Sequence, residues 1–414
     1  MTLGKTGRRK ILLLAPRWPY PVLGGDKLRI WQLARAVGQH HDVTLLSLCS
    51  DEAEMTAVAP DDGVFSEVHR VFHPRWRSWL QVVAALPRRT PLQIAYFANR
   101  QFRDEVTRLA PQHDLLWCHL VRTASYAKDV HIPRWLEMTD AISMGMERAA
   151  GANAVRDARR AIYGLEADRL RAYEVDTQHH FELISLVSEV DRNVLFGPEQ
   201  TGRARTLVIP NGFGPASGAL PPLTQRPPGI ALIGQMSSLP NRDALWFFVE
   251  QVLPLVRRRI VDAKLHVIGP VPQSDTERLK AIGGVVVHGV LPDLASGLAC
   301  CRVGVCPVRM AAGVQNKNLD YMAHELATVT SPAGLEGLAA VEGDHLLVAR
   351  DPGDWSEKVC ALLTDESLNN RLARAGRMLV EDQYRWDVVS APALAALDQL
   401  LAGAALPRGI SPGR

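Results

Sequence analysis

No Cys-x-x-Cys pair occurs among the six cysteines, and no cysteine–histidine grouping has the spacing of a zinc motif. A disulfide framework and a sequence-encoded zinc finger are thereby excluded. Cys49, Cys118 and Cys306 lie in or beside apolar runs and read as buried thiols in a reducing compartment. Asp-x-Asp is absent too, so no divalent metal is demanded, and no metal or other cofactor is expected. The chain has no stretch of roughly 18 apolar residues, which excludes a helical membrane span. Arg8-Arg9-Lys10 followed by Ile11-Leu12-Leu13-Leu14 imitates the start of a secretion signal. Pro16, Arg17 and Pro19 end that run short of the ~7–15 residues a signal core needs, and a cytoplasmic location is expected. A strong charge bias is lacking as well: the net charge is +3, and no nucleic-acid partner is expected. Residues 1–212 hold 28 Lys+Arg against 24 Asp+Glu, and the remainder holds 19 against 20. The basic excess thus lies in the first half and favours an anionic partner there, such as a membrane surface.

What is present is an alternation of short apolar, β-branched runs with longer helical patterns. It implies βαβ units and parallel sheets. In the first half the spacing predicts strands at 10–14, 43–48, 68–72, 115–118, 135–138, 183–187 and 206–209, with a helix over 26–38 and a long charged helix over 154–176. Prolines and glycines break all periodicity over about 210–228, and the alternation then restarts. Strands are predicted at 230–233, 265–268, 285–287, 303–306, 328–330 and 346–348. The expected organisation is an N-terminal Rossmann-like domain over 1–212, a C-terminal one over 213–385, and a final helix and tail over 386–414 that returns to the first domain. Ligands of such sheets bind at the carboxyl ends of the strands.

Several loops at those ends could carry chemistry. The first strand runs into a Pro-rich loop ending in Gly24-Gly25 at a helix start, where backbone N–H groups can approach an anion. It is not a G-x-G-x-x-G turn, which disfavours a nicotinamide oxidoreductase. His119 directly follows a strand and could hydrogen-bond a sugar hydroxyl or a leaving phosphate. Gly234 ends the first strand of the second domain. Asn241 reads as the cap of the helix that follows. The richest stretch follows Cys306: Gly313, Val314 and Gln315 offer amides to an anion, Lys317 a point charge to a diphosphate, and Asp320 a carboxylate to ribose hydroxyls. A second glycine loop at 331–338 would let a donor approach Gly334.

These segments together resemble the retaining glycosyltransferase family 4, which has the GT-B fold: α/β, with two doubly wound Rossmann-like domains facing across a cleft. The resemblance rests on Val208-Ile209-Pro210-Asn211-Gly212, on Gly234 followed by Pro240-Asn241-Arg242-Asp243-Ala244, and on Lys264-Leu265-His266-Val267-Ile268-Gly269. It continues in Gly289-Val290-Leu291-Pro292-Asp293-Leu294 and in Gly313-Val314-Gln315-Asn316-Lys317-Asn318-Leu319-Asp320-Tyr321-Met322-Ala323. The wording is nearest to the exopolysaccharide-biosynthesis subgroup. The resemblance implies transfer of a hexose, with retention, from a nucleotide-sugar donor to a glycan or polyprenyl-linked acceptor. It assigns the donor to Gly234, Gly313, Val314, Gln315, Lys317, Asp320 and Gly334, and places Gly24, Gly25 and His119 on the acceptor and phosphate side. His119 and Lys317 are the expected catalytic residues.

Four positions, in two pairs, depart from the family pattern. Its pair of acids eight positions apart falls on Ala312 and Asp320, so the first is missing and the second is shortened. The basic pair expected after the first C-terminal glycine is replaced by Gln235 and Met236. A non-catalytic scaffold of a polysaccharide assembly complex and a sugar-nucleotide epimerase stay open as alternatives. Asp140 and Glu137, expected just after a strand, are the carboxylates that could approach an anomeric carbon. Arg75-Trp76-Arg77-Ser78-Trp79-Leu80 interleaves bases with aromatics as membrane-interfacial segments do, and Arg156, Arg159, Arg160, Arg169 and Arg171 add a basic helix face.

Overall fold

The computed structural model describes residues 7–22, 24–151, 157–198, 204–214, 218–310 and 313–403. They divide into two compact units. One takes in the described residues up to Pro210 together with those from Val389 onward, and the other is Asn211–Val388.

The first unit is built on a seven-stranded parallel sheet of β1 (Lys10–Ala15), β2 (Asp42–Cys49), β3 (Glu67–Phe72), β4 (Leu115–His119), β5 (Arg134–Thr139), β6 (Leu183–Leu186) and β7 (Arg205–Val208). Their order is β3-β2-β1-β4-β5-β6-β7. β1 is apolar from Ile11 to Ala15, as a strand must be when helices cover both faces of its sheet. Trp117 and Trp135 lie opposite each other on β4 and β5 and stack at 4.4 Å, anchoring the centre.

The second unit carries a six-stranded parallel sheet of β8 (Gly229–Ile233), β9 (Lys264–Ile268), β10 (Val285–Gly289), β11 (Val303–Cys306), β12 (Ala327–Thr330) and β13 (Leu347–Val348). Its order is β10-β9-β8-β11-β12-β13. Leu265, Val267, Val303, Val305, Phe248 and Trp355 form its main core. Tyr321, fully buried, donates its hydroxyl to the carbonyls of Ala231 and Val305 and accepts from the Ile233 amide, tying its helix across β8 and β11.

In both sheets the chain starts in the middle, winds out to one edge, and returns to continue on the other side. Strand order therefore reverses between β1 and β4 in one unit and between β8 and β11 in the other. A doubly wound sheet opens its ligand crevice at that reversal, outside the carboxyl ends of the strands.

Some elements differ from the sequence expectation. Residues 75–80 belong to a regular helix, Arg75–Ala85. The charged helix runs over Asp157–Asp176, with residues 154–156 of its expected span outside the described residues, and a further helix, Ile142–Gly151, comes before it. After β8 the helical segment is in three pieces: Leu239–Phe247, a wider π-type turn Phe248–Val252, and Leu253–Arg259, with Pro254 in the first turn of the last.

Candidate functional site

In the second unit the predicted donor residues gather at the reversal point. Gly234 follows β8, and Gly313, Val314 and Gln315 lead from β11 into the helix Asn316–Ala323. Gly234 is glycine for a local reason: a Cβ there would lie 2.9 Å from the Asn241 side chain. Gly313 has φ +69° and Val314 is buried. Gln315 is the residue at which the helix starts.

Lys317 sits in the first turn of that helix, 8% exposed, and donates from Nζ to Asn241 Oδ1 at 2.6 Å. Asn241 donates in turn to the Gln235 carbonyl at 3.2 Å. This corrects the expectation of a cap: the helix begins at Leu239 after Ser238, and Asn241 braces Lys317. Burial lowers the Lys317 pKa, and the nearby Asp320 opposes that shift. Asp320, three residues on, has its carboxyl pushed up to about 6 by burial, with Lys317 working the other way. A buried ammonium hydrogen-bonded to a neutral amide is an electrostatic deficit that an anionic ligand relieves.

A second cation anchors the loop ahead of Gly313. Arg309 holds Asp243 in a two-point pair at 2.6 and 2.9 Å, and Asp243 lies on the same helix as Asn241. Sequence reading missed both anchors. The signal for them is that Asn241 and Asp243 share one helical turn, so Lys317 on the facing helix and Arg309 in the loop before it can reach them together. Asn318 reaches the other way, donating to the Gly334 carbonyl at 2.8 Å and to Thr330 Oγ1 at 3.2 Å. Asn211 donates to Asn316 Oδ1 at 2.7 Å, which ties the Pro-Asn-Gly segment to the head of the helix.

Gly334, the expected donor glycine after β12, also has a local packing reason. A Cβ there would fall 2.2 Å from Thr330 Oγ1, and its amide already donates to Ser331 Oγ at 2.9 Å. The glycine is required by its close approach to β12. Ala312, the missing acid, lies outside the described residues.

In the first unit Gly24 and His119 likewise flank the reversal point. Gly24, with φ +94°, immediately precedes the helix Gly25–Gly38. Glycine takes that conformation without the Cβ penalty other residues incur. His119 is the last residue of β4, 3% exposed, and its Nδ1 lies 2.6 Å from Glu137 Oε2. Glu137 also accepts from Arg29 Nε at 2.8 Å and from Thr139 Oγ1 at 3.1 Å. Burial by itself would raise the Glu137 carboxyl. The Arg29 charge and the His119 contact outweigh it and hold the carboxyl down at about 2. An ionised carboxylate only accepts, so Nδ1 of His119 carries the proton of this hydrogen bond.

This corrects the reading of Glu137 as a carboxylate beyond a strand. It lies inside β5, fully buried and committed to Arg29 and His119. Asp140 does follow β5. Burial and the Asp191 charge push its carboxyl up to about 6, against the pull of Arg122. Leu120 and Thr139, just past His119 and Glu137, adopt positive φ of 62° and 71°. Such strain in non-glycine residues collects where the chain is held for a purpose.

The same unit has a hollow of about 370 Å³ lined by Arg17, Lys27, Arg75, His73, Glu54 and Phe97, among others. It borders the helix Arg75–Ala85, on which Trp76, Trp79, Leu80 and Val83 are each about 60% exposed. These positions are spaced i, i+3, i+4, i+7, so the apolar stripe faces solvent, whereas an ordinary surface helix turns such a stripe to the core. Of the expected basic face, Arg169 donates to the Leu86 carbonyl, and Arg171 to the Val194 carbonyl and Glu147, so both are spent inside the unit. Arg156 and the side chains of Arg159 and Arg160 lie outside the described residues.

The architecture is that of the GT-B fold. The chain is similar to sucrose-phosphate synthase from Thermosynechococcus elongatus, with TM-score 0.72 and 15% identity over 96% of this chain and 100% of that one. It is similar to HepE from Anabaena in complex with UDP-glucose, with TM-score 0.66 and 13% identity over 95% of this chain and 100% of that one. It is similar to an E. coli trehalose-6-phosphate protein bound with UDP-2-fluoro glucose, with TM-score 0.66 and 16% identity over 96% and 100%. Residues 227–365 match the family described as Glycosyl transferases group 1, and that span contains Gly234, Asn241, Lys317, Asp320 and Gly334. A curated relative, an uncharacterized 44.6 kDa protein in the cps region of Klebsiella pneumoniae, is 28% identical over 130 residues. That match covers 30% of this chain and about a third, 34%, of the relative. No helix among the described residues is long and apolar enough to cross a membrane.

Proposed function

We propose that this chain transfers a hexose from a nucleotide-sugar donor to a glycan or polyprenyl-linked acceptor in cell-surface polysaccharide synthesis. The observation that carries the reading is the buried Lys317, braced by Asn241 beside Gly313–Gln315 and one turn from Asp320, at the strand-order reversal of the region matching the glycosyl transferase family. Lys317 and the helix N-terminus hold the diphosphate, and Asp320 accepts from the ribose hydroxyls. Departure of the nucleoside diphosphate leaves an oxocarbenium-like sugar. The same fixed charges that bind the diphosphate stabilise it as it leaves.

His119, its tautomer set by Glu137, presents Nε2 to a sugar hydroxyl. Retention by front-face attack is the stereochemistry in this proposal: Glu137 is committed to Arg29 and His119, and burial raises the Asp140 carboxyl to about 6, which disfavours it as a nucleophile. No metal takes part in it, since Lys317 and the helix amides supply the positive charge. Two similar folds were solved with UDP-sugars, which makes UDP the nucleotide to test first. The relative in a cps region supports the polysaccharide setting.

The acceptor side of the proposal uses the basic hollow of Arg17, Lys27 and Arg75, suited to a lipid phosphate. The outward stripe of Trp76, Trp79, Leu80 and Val83, edged by the exposed Arg75, Arg77, Arg88 and Arg89, suits an anionic membrane surface on which such an acceptor would lie.

A thermal-shift screen against UDP, GDP, ADP and their sugars, with and without divalent metal, tests the donor reading. The expected result is a rise in Tm with one nucleotide, unaltered by chelator and lost in Lys317→Ala. If no nucleotide shifts the wild-type Tm, the donor site does not exist and the scaffold alternative takes its place.

A further inference from the structure

Three side chains far apart in sequence meet at one edge of the second unit. His266 is on β9, His288 on the edge strand β10, and Cys300 in the turn before β11. Nδ1 of His266 lies 2.9 Å from Nε2 of His288 and 3.2 Å from Sγ of Cys300, and all three atoms fall within 4.8 Å of one another. The register of β10 against β9 slips between Val287 and Gly289, so His288 sits at the irregularity itself. His266 is buried, and the other two are half-exposed.

We infer that His266, His288 and Cys300 form a binding site for a zinc-class divalent transition metal. Two imidazoles and one thiolate are a borderline-soft donor set that suits zinc and cobalt and is poor for magnesium or calcium. Zn–N bonds of about 2.0–2.1 Å and a Zn–S bond of about 2.3 Å in a tetrahedron separate ligand nitrogens by about 3.3 Å and nitrogen from sulfur by about 3.6 Å. The two short separations seen here need to open by only roughly 0.4 Å each to meet that geometry. Three protein ligands leave a fourth position for water, and the half-exposure of His288 and Cys300 lets solvent reach it. The site is distinct from the donor residues: β8 separates β9 from β11, whose loop leads to Lys317. Its effect is structural. Metal bonds would tie the edge strand β10 and the Cys300 turn to β9, and binding only the folded chain raises its stability by mass action.

The test is cobalt titration of the full chain after chelator treatment under reducing conditions. One equivalent of Co²⁺ should bind per chain and give a thiolate-to-cobalt charge-transfer band, which Zn²⁺ then displaces. Cys300→Ser should abolish the band, His288→Ala should weaken Co²⁺ binding at least tenfold, and Cys360→Ser should leave both unchanged. Absence of the band in the wild type, or its survival in Cys300→Ser, overturns the site. The wild-type titration decides the matter even if a variant fails to fold.

Discussion

Lys317 and Asn241 join two helices that begin from different strands of the same sheet, through a single 2.6 Å hydrogen bond between an ammonium and a neutral amide. The pair sets where the positive charge stands without neutralising it, which is what a binding site for an anion requires. Replacing Asn241 by Leu removes the brace and keeps the charge. Hydrogen bonds to charged groups contribute about 1.5–3 kcal/mol, so nucleotide affinity measured by calorimetry should fall roughly 10-fold or more. An unchanged Kd would mean that the brace plays no part in binding.

Asp320 gives the proposed site a pH dependence of definite sign. Its carboxyl is raised to about 6, and only the ionised form accepts two ribose hydroxyls. Nucleotide Kd should be flat above about pH 7 and rise toward tenfold per pH unit below about 6. Asp320→Asn should bind more weakly at neutral pH and lose the slope. Identical pH profiles for the two proteins would remove Asp320 from the ribose.

Glu137 is committed to structure as well as to orienting His119. Its carboxyl is about 2 in the folded chain against an ordinary 4.5, so the folded state binds fewer protons between those values. Its contribution is in full force above about pH 4.5 and disappears as the pH falls through about 2. Glu137→Ala leaves the 1%-exposed Arg29 without its carboxylate, and breaking such a buried pair costs about 3–5 kcal/mol. Urea unfolding at pH 7 measures this, and a loss below ~1 kcal/mol would contradict the pairing.

The membrane contact proposed for the helix Arg75–Ala85 can be tested apart from folding. Trp76→Ser with Trp79→Ser alters side chains that are 60% and 62% exposed, so stability should move by only about 0.5 kcal/mol per site. Co-sedimentation with anionic vesicles at low salt should drop severalfold. Equal sedimentation of wild type and double variant would rule out this face as the contact.

Much of the architecture is readable in the chain because buried parallel strands must be apolar. Ile11–Leu14 can be little else, and the glycine-bearing loops follow at the spacing a doubly wound sheet requires. What escapes is whatever depends on partners distant in sequence. Glu137 looks like a strand-end carboxylate until Arg29, 108 residues away, is placed beside it. Asn241 looks like a cap because Asn after Pro usually is one, and only Lys317, 76 residues on, shows otherwise. His266 and Cys300 are 34 residues apart, too far for the short spacings by which a metal motif is read from sequence. At Trp76 the sequence shows bases interleaved with aromatics, and the structure adds the helix and the outward direction of its apolar stripe, which periodicity alone does not give.

The helix Trp386–Leu401 begins among residues of the second unit and ends among those of the first. Ala393, Ala396 and Leu397 are buried there, and Asp398 and Gln399 meet His41 and Arg205. A ribosome therefore emits the whole second sheet before the last piece of the first unit exists. The part of the protein that is begun first is finished last, and must wait on the nascent chain for its closing segment.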